Sequence, residues 1–260
     1  SMSFNAARMI GPSVAGILIG LWNEGACFLI DGFSYLAVIV SLFRMAVPPF
    51  VAASGAPSLR RGLGEGFRYA FTSPTIRSVL ISIALLGTVG MSYSVIMPVI
   101  ARDVLHGEAH TLGFLLSSVG VGALAGGVYL ASMRSVSGLG ARISVAALAG
   151  GFWLAGLGLS RTLWLSMILM FLIGLSFMVQ MASGNTFIQT TVTDDKRGRV
   201  MSLYTMAFMG SAPLGSLLTG QVTQRLGAPA TCLLGGAIYL ACSLLLAREF
   251  RRGQSLTGDG

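Results

Sequence analysis

Charge is scarce in this chain. Asp, Glu, Lys and Arg make up only 10% of its 260 residues, against about a quarter of an ordinary soluble domain, so the polar surface that would keep a globular protein of this length in water is missing. Lysine occurs once, at Lys196, and histidine twice, at His106 and His110. The histidines are four residues apart, but no carboxylates converge on them, which argues against a metal site or an acid-base pair. The three cysteines, Cys27, Cys232 and Cys242, fall in or beside apolar stretches without ligand-like spacing, and read as small hydrophobic residues rather than as a disulfide or zinc set. A Gly-rich phosphate loop is absent as well. The chain is expected to be no enzyme and to carry no metal and no cofactor.

What is present is long apolar sequence. Residues 79–100 contain no charged side chain, and comparable runs occupy 111–133, 143–160, 162–193, 200–224 and 226–247. Each approaches or exceeds the roughly 18 to 20 residues that a helix needs to cross about 30 Å of hydrocarbon. Two earlier runs, 9–23 and 26–43, bring the expectation to eight spans, with one acid, Asp31, inside the second. A spanning β-barrel would show alternating segments of about ten residues instead. The predicted fold class is an all-α integral membrane protein.

Basic residues give the orientation. With alternating spans, one side holds only Arg102, Arg161 and Arg225, leaving 14 of the 17 Lys and Arg on the other. The positive-inside rule then places the long loop between spans two and three, and the C-terminus, in the cytoplasm. The net charge of +8 is explained by this distribution, so no nucleic-acid partner is expected. Arginine outnumbers lysine 16 to 1, which points to a GC-rich bacterial genome and hence to the inner membrane.

A pair of helices recurs. Gly11, Gly16 and Leu18 in the first span correspond to Gly210, Gly215 and Leu217 in the seventh, at a constant offset of 199; Ser34-Tyr35-Leu36-Ala37 answers Ile238-Tyr239-Leu240-Ala241 in the spans that follow. A repeat of that length holds six spans. Four further helices are therefore expected before Ser1, making twelve in all. The predicted divisions are 1–47 for the last two helices of an N-terminal half, 48–75 for a cytoplasmic linker, 76–248 for a C-terminal six-helix half and 249–260 for a tail. Within the linker, Leu59, Leu63, Phe67, Ala70 and Phe71 recur at three- and four-residue steps, with Arg60, Arg61, Glu65 and Arg68 elsewhere, the pattern of an amphipathic helix on an anionic leaflet.

Several motifs sharpen this. Asn5 to Gly16 reads NAARMIGPSVAG; Met97-Pro98-Val99 is followed by Ala101-Arg102-Asp103-Val104 and by Leu112-Gly113 through Gly126-Gly127; Gln189 to Gly220 reads QTTVTDDKRGRVMSLYTMAFMGSAPLGSLLTG. Together with the two-repeat plan, these stretches resemble the major facilitator superfamily, in its efflux branch related to macrolide and enterobactin exporters. The resemblance implies a proton-coupled exporter of amphipathic small molecules that works by alternating access between two halves.

It also implies roles for particular residues. Gly11, Pro12 and Gly16 are similar to the fifth-helix signature of drug antiporters, where proline and small residues let a helix kink and pack closely, although Ala15 stands where that signature has glycine and ordinary packing would look similar. Asp194, Arg197, Gly198 and Arg199 form a mixed-charge motif between spans six and seven, suited to ion pairs that exist in one state of a rocking transporter. Asp31 lies about 9 Å into its span at 1.5 Å per residue; it is either protonated, paired or lining an aqueous path, and both proton coupling and a structural bond fit. Arg8 serves as a positive-inside anchor or as the partner of an acid on a preceding helix. Substrate contacts are expected from Gln180 and Asn185 as orienting groups and from Met181 and Met206 as adaptable apolar ones, with Ser176 and Ser183 on the same helical face as Gln180. Packing is the competing reading for each methionine. The expected partners are a small-molecule substrate, protons, the lipid bilayer and the missing N-terminal helices. An uptake permease of the same fold, or a regulatory or transport-inactive membrane protein, are the other readings of this sequence.

Overall fold

The computed structural model describes residues 24–45, 59–133 and 138–257, in two separate units divided between Ser58 and Leu59. The described part of the first unit is one helix, α1 (Glu24–Arg44), whose 21 residues span about 30 Å at 1.5 Å each. Its hydroxyls turn back onto its own carbonyls, Ser34 Oγ to Asp31 O at 2.7 Å and Ser41 Oγ to Ala37 O at 2.8 Å, which removes their need for an outside partner.

The second unit opens with α2 (Leu59–Thr72), the predicted amphipathic helix. From Leu59 onward the linker therefore groups with the six spans that follow it. Its end is written in the sequence: Ser73 precedes Pro74 and is held extended at φ −86, ψ 113, because a proline ring disfavours helical backbone in the residue before it while starting a new helix well. The first span, Pro74–Val104, consists of α3 (Pro74–Leu85), a π-helical turn at Leu86–Gly90, α4 (Tyr93–Val99) and a second π turn at Ile100–Val104. Pro98 lies two residues before the second π turn, where its missing donor already interrupts the ladder. Then come α5 (Ala109–Ala131), α6 (Leu139–Leu159), α7 (Leu163–Thr191), α8 (Asp194–Thr205) with a π turn at Met206–Gly210, and α9 (Ser211–Thr257).

Five helices of the described part are long and apolar enough to cross a membrane, the last running Asp194–Glu249. That last one is two spans. Gly227 breaks it at φ 80, ψ 163, a conformation open essentially to glycine alone, and Pro229 restarts the helix two residues later. The six runs expected after residue 78 are thereby accounted for, and the all-α membrane class holds. Helix continues to Thr257, past residue 249, where the tail was expected to begin.

Lipid offers apolar helices no hydrophobic drive to associate, so close approach through small residues has to supply the contact energy. Three seams do this. A side chain at Gly122, Gly126 or Gly174 would overlap backbone across α5 and α7; one at Gly158 or Gly236 would overlap backbone across α6 and the second half of α9; one at Gly215 in α9 would overlap the Thr88 backbone of the Leu86–Gly90 turn, and one at Gly87 in that turn the Phe208 backbone of the Met206–Gly210 turn. Between the seams Ile83, Leu86, Met97, Leu115, Ile143, Met170, Ile173 and Ile188 are fully buried, and Phe177 stacks obliquely between Tyr93 and Tyr239, with ring centroids 6.4 and 5.7 Å apart.

Candidate functional site

Helix α7 carries most of the polar residues expected to meet a substrate, and the structure turns one of its faces inward. Ser176, Gln180 and Ser183 are all buried. Gln180 is completely enclosed: its Nε2 donates to Ser82 O at 3.1 Å and to Ser82 Oγ at 2.9 Å, while its Oε1 accepts from the Tyr239 hydroxyl at 2.7 Å. Gln180 was expected to orient a substrate. In this conformation its amide hydrogens and one acceptor position of its oxygen are taken up by protein groups. It ties α3, α7 and the second half of α9 together. The sequence signal was real, a polar group in an apolar helix, but it cannot say whether that group faces a cavity or a neighbour.

Met181 and Asn185 lie one position and five positions further along and are only half-buried. The Met181 carbonyl accepts from the Tyr204 hydroxyl at 2.6 Å, which fixes α8 against α7, while Gln189 Nε2 donates to Asn185 Oδ1. Met206 is 64% exposed and stands apart from these, in the wall of an open groove of about 710 Å³ formed with Gly64, Phe67, Arg68, Phe71, Thr72 and Leu203.

The mixed-charge motif folds as the first turns of α8. Asp194 pairs with Arg197 one turn later, an arrangement that also puts the acid at the positive end of the helix, and Arg197 Nη2 donates to Val192 O at 3.3 Å. Gly198 faces open space. What the sequence does not reveal is that this motif rests on the linker helix. Lys196 Nζ lies 4.5 Å above the Tyr69 ring, and Gly66 leaves just enough room for the Arg199 side-chain stem, since a Cβ at Gly66 would come within 2.9 Å of Arg199 Cβ. At the same end of the unit Arg77 Nη2 lies 3.5 Å from Glu249 Oε1, and Ser78 Oγ donates to Glu249 Oε2 at 3.0 Å. Gly11, Pro12 and Gly16 lie outside the described residues. Asp31 belongs to α1 and the first unit, so the geometry of the second unit does not bear on it.

Apolar spans joined by glycine seams, a buried neutral polar clamp and a charged motif at one end are the features of a helical membrane protein, and comparison with known proteins names the group. The family described as transmembrane secretion effector, a branch of the major facilitator superfamily, matches residues 1–255. The chain belongs to that family.

Among curated relatives, the secretion-effector chain is similar to the staphyloferrin A transporter of Staphylococcus aureus, 26% identical over 226 residues that make up 84% of this chain and 54% of the relative. It is also similar to the multidrug efflux pump Tap of Mycobacterium tuberculosis, 27% identical over 251 residues, 94% of this chain and 58% of the relative. The Tap pump of Mycolicibacterium fortuitum is 24% identical over 238 residues, 88% and 57% of the two chains. The chain thus spans little more than half the length of the curated relatives it matches. Its family and its apolar spans make it an all-α integral membrane protein of the major facilitator type.

Proposed function

We propose that the protein is a secondary exporter of amphipathic small molecules of the drug or siderophore type, coupled to protons and working by alternating access between two six-helix halves. The observation that carries this reading is the match to a multidrug efflux pump over 94% of the chain. The character of the six-helix interior supports it, because among the described residues its buried polar groups are hydroxyls and one amide, and a strongly charged nutrient would meet no counter-ion among them. The half-buried Met181 and Asn185 are the surface assigned to substrate, a polarizable contact beside an adaptable polar one. Asp31 is assigned to proton coupling, and Gly11, Pro12 and Gly16, with Asp194, Arg197, Gly198 and Arg199, to closing the pathway. The protein sits in the bacterial inner membrane with its C-terminus in the cytoplasm.

The test is dye accumulation in bacteria stripped of their own pumps, with and without the complete gene. Expression should lower the steady-state level of an amphipathic cationic dye severalfold, and a protonophore should restore it. Raised accumulation would make the protein an uptake permease, and no change in any direction would remove the transport reading.

A further inference from the structure

An open groove between α2 and the α8 end holds Met206, the residue of the expected substrate set that stands apart from Met181 and Asn185. Its walls are apolar: Phe67 and Phe71 stack with ring centroids 4.3 Å apart, and Leu203 and Met206 face them from the other side. Phe67 and Met206 remain 53% and 64% exposed, so the trough is open along its length. Its volume of about 710 Å³ is that of a ligand site. At its rim stands one cation, Arg68; among the described residues no carboxylate forms an ion pair with it, and the neighbouring Thr72 hydroxyl is already donated to Arg68 O at 2.6 Å. Arg60 and Arg61 precede it on the same helix.

An apolar trough with a cation at its mouth fits an anion that carries a hydrocarbon tail. A free phosphate would gain one guanidinium and no second donor. A neutral hydrocarbon would leave the arginine unused. The location selects the source: an amphipathic, arginine-rich helix without an acid in its first turn belongs at the anionic cytoplasmic leaflet, where the distribution of basic residues places it.

We propose that this groove holds an anionic glycerophospholipid of the cytoplasmic leaflet, one acyl chain lying between Phe67, Phe71, Leu203 and Met206 and the phosphate held at Arg68. The lipid would then bind the linker helix to the segment that begins with the Asp194–Arg199 motif, beside the Lys196–Tyr69 contact. The inference does not depend on which solute is carried or in which direction.

The experiment is native mass spectrometry of the complete protein released from nanodiscs containing equal amounts of phosphatidylglycerol and phosphatidylcholine with matched chains. The wild type should retain phosphatidylglycerol over phosphatidylcholine by about fivefold, the factor that ~1 kcal/mol per basic residue near an anionic leaflet amounts to. Arg68→Gln should bring the ratio close to one, whereas Arg225→Gln, on an exposed position in another part of the chain, should leave it unchanged. Phe67→Ala, at an exposed position where folding is not at stake, should lower retention of both lipids together. Equal retention by the wild type, loss of both lipids from it because protein covers the groove, or an undiminished preference in Arg68→Gln would each overturn the proposal.

Discussion

The hydroxyl of Tyr239 donates to the side-chain oxygen of Gln180 at 2.7 Å across 59 residues of sequence, and both residues are completely buried. The bond is buried among apolar side chains such as Ile83, Leu86 and Phe177, so its loss leaves a polar group with no water to turn to. Tyr239→Phe should therefore cost about 1–3 kcal/mol, the penalty of an unsatisfied buried acceptor, read as a lowered melting temperature in detergent. Gln180→Leu should cost a similar amount, and the double variant less than the sum, since the partners are coupled. Additive losses would show that the two residues act independently.

The Arg77–Glu249 pair should behave differently. Its side chains are 37% and 43% exposed, where solvent screening reduces an ion pair to about 0–1 kcal/mol. Glu249→Gln is expected to leave the melting temperature within a degree or two of wild type under conditions where Tyr239→Phe shifts it clearly. A fall as large as that of Tyr239→Phe would mean that Glu249 is far less solvated than its geometry indicates.

At Gly215 a methyl group would overlap the carbonyl of Thr88, and backbone cannot swing aside as a side chain can. Gly215→Ala should open the seam between α9 and the Leu86–Gly90 turn and destabilise by about 1–3 kcal/mol, the usual range for overpacking. Gly113→Ala, where a Cβ meets nothing within 4 Å, is the matched control and should be neutral or slightly stabilising through helix propensity.

Sidedness is checked with single cysteines in a cysteine-free background. Positions 58 and 258 should react with a maleimide only after the membrane is opened, and position 106 with an impermeant reagent applied from outside. External labelling at 58 would reverse the orientation.

Proton coupling through Asp31 predicts that Asp31→Asn in the complete protein abolishes gradient-driven export without reducing the amount of protein in the membrane. Export that keeps its normal pH dependence in the mutant would reduce Asp31 to a structural residue.

The six spans after residue 78 were legible because each depends on a local property, the run length of apolar residues, and because the breaks have local chemistry: Ser73-Pro74 and Gly227 with Pro229. The amphipathic linker helix was legible for the same reason. The fate of Gln180 was not. Its partners are Ser82, 98 residues earlier, and Tyr239, 59 residues later, and no period within α7 encodes whether that face meets a cavity or two other helices. The resting of Lys196 on Tyr69 was hidden in the same way. The one local feature that sets this position apart is composition, because Lys196 is the sole lysine in a chain that otherwise uses arginine.

Gly227 is the only interruption in the helix that runs from Ser211 to Thr257. A loop of several residues would let the two arms separate as well as turn, whereas one residue keeps the end of the first arm and the start of the second joined at a point. Glycine is the residue whose backbone torsions change at least cost, so any movement of one arm against the other is confined to rotation about Gly227.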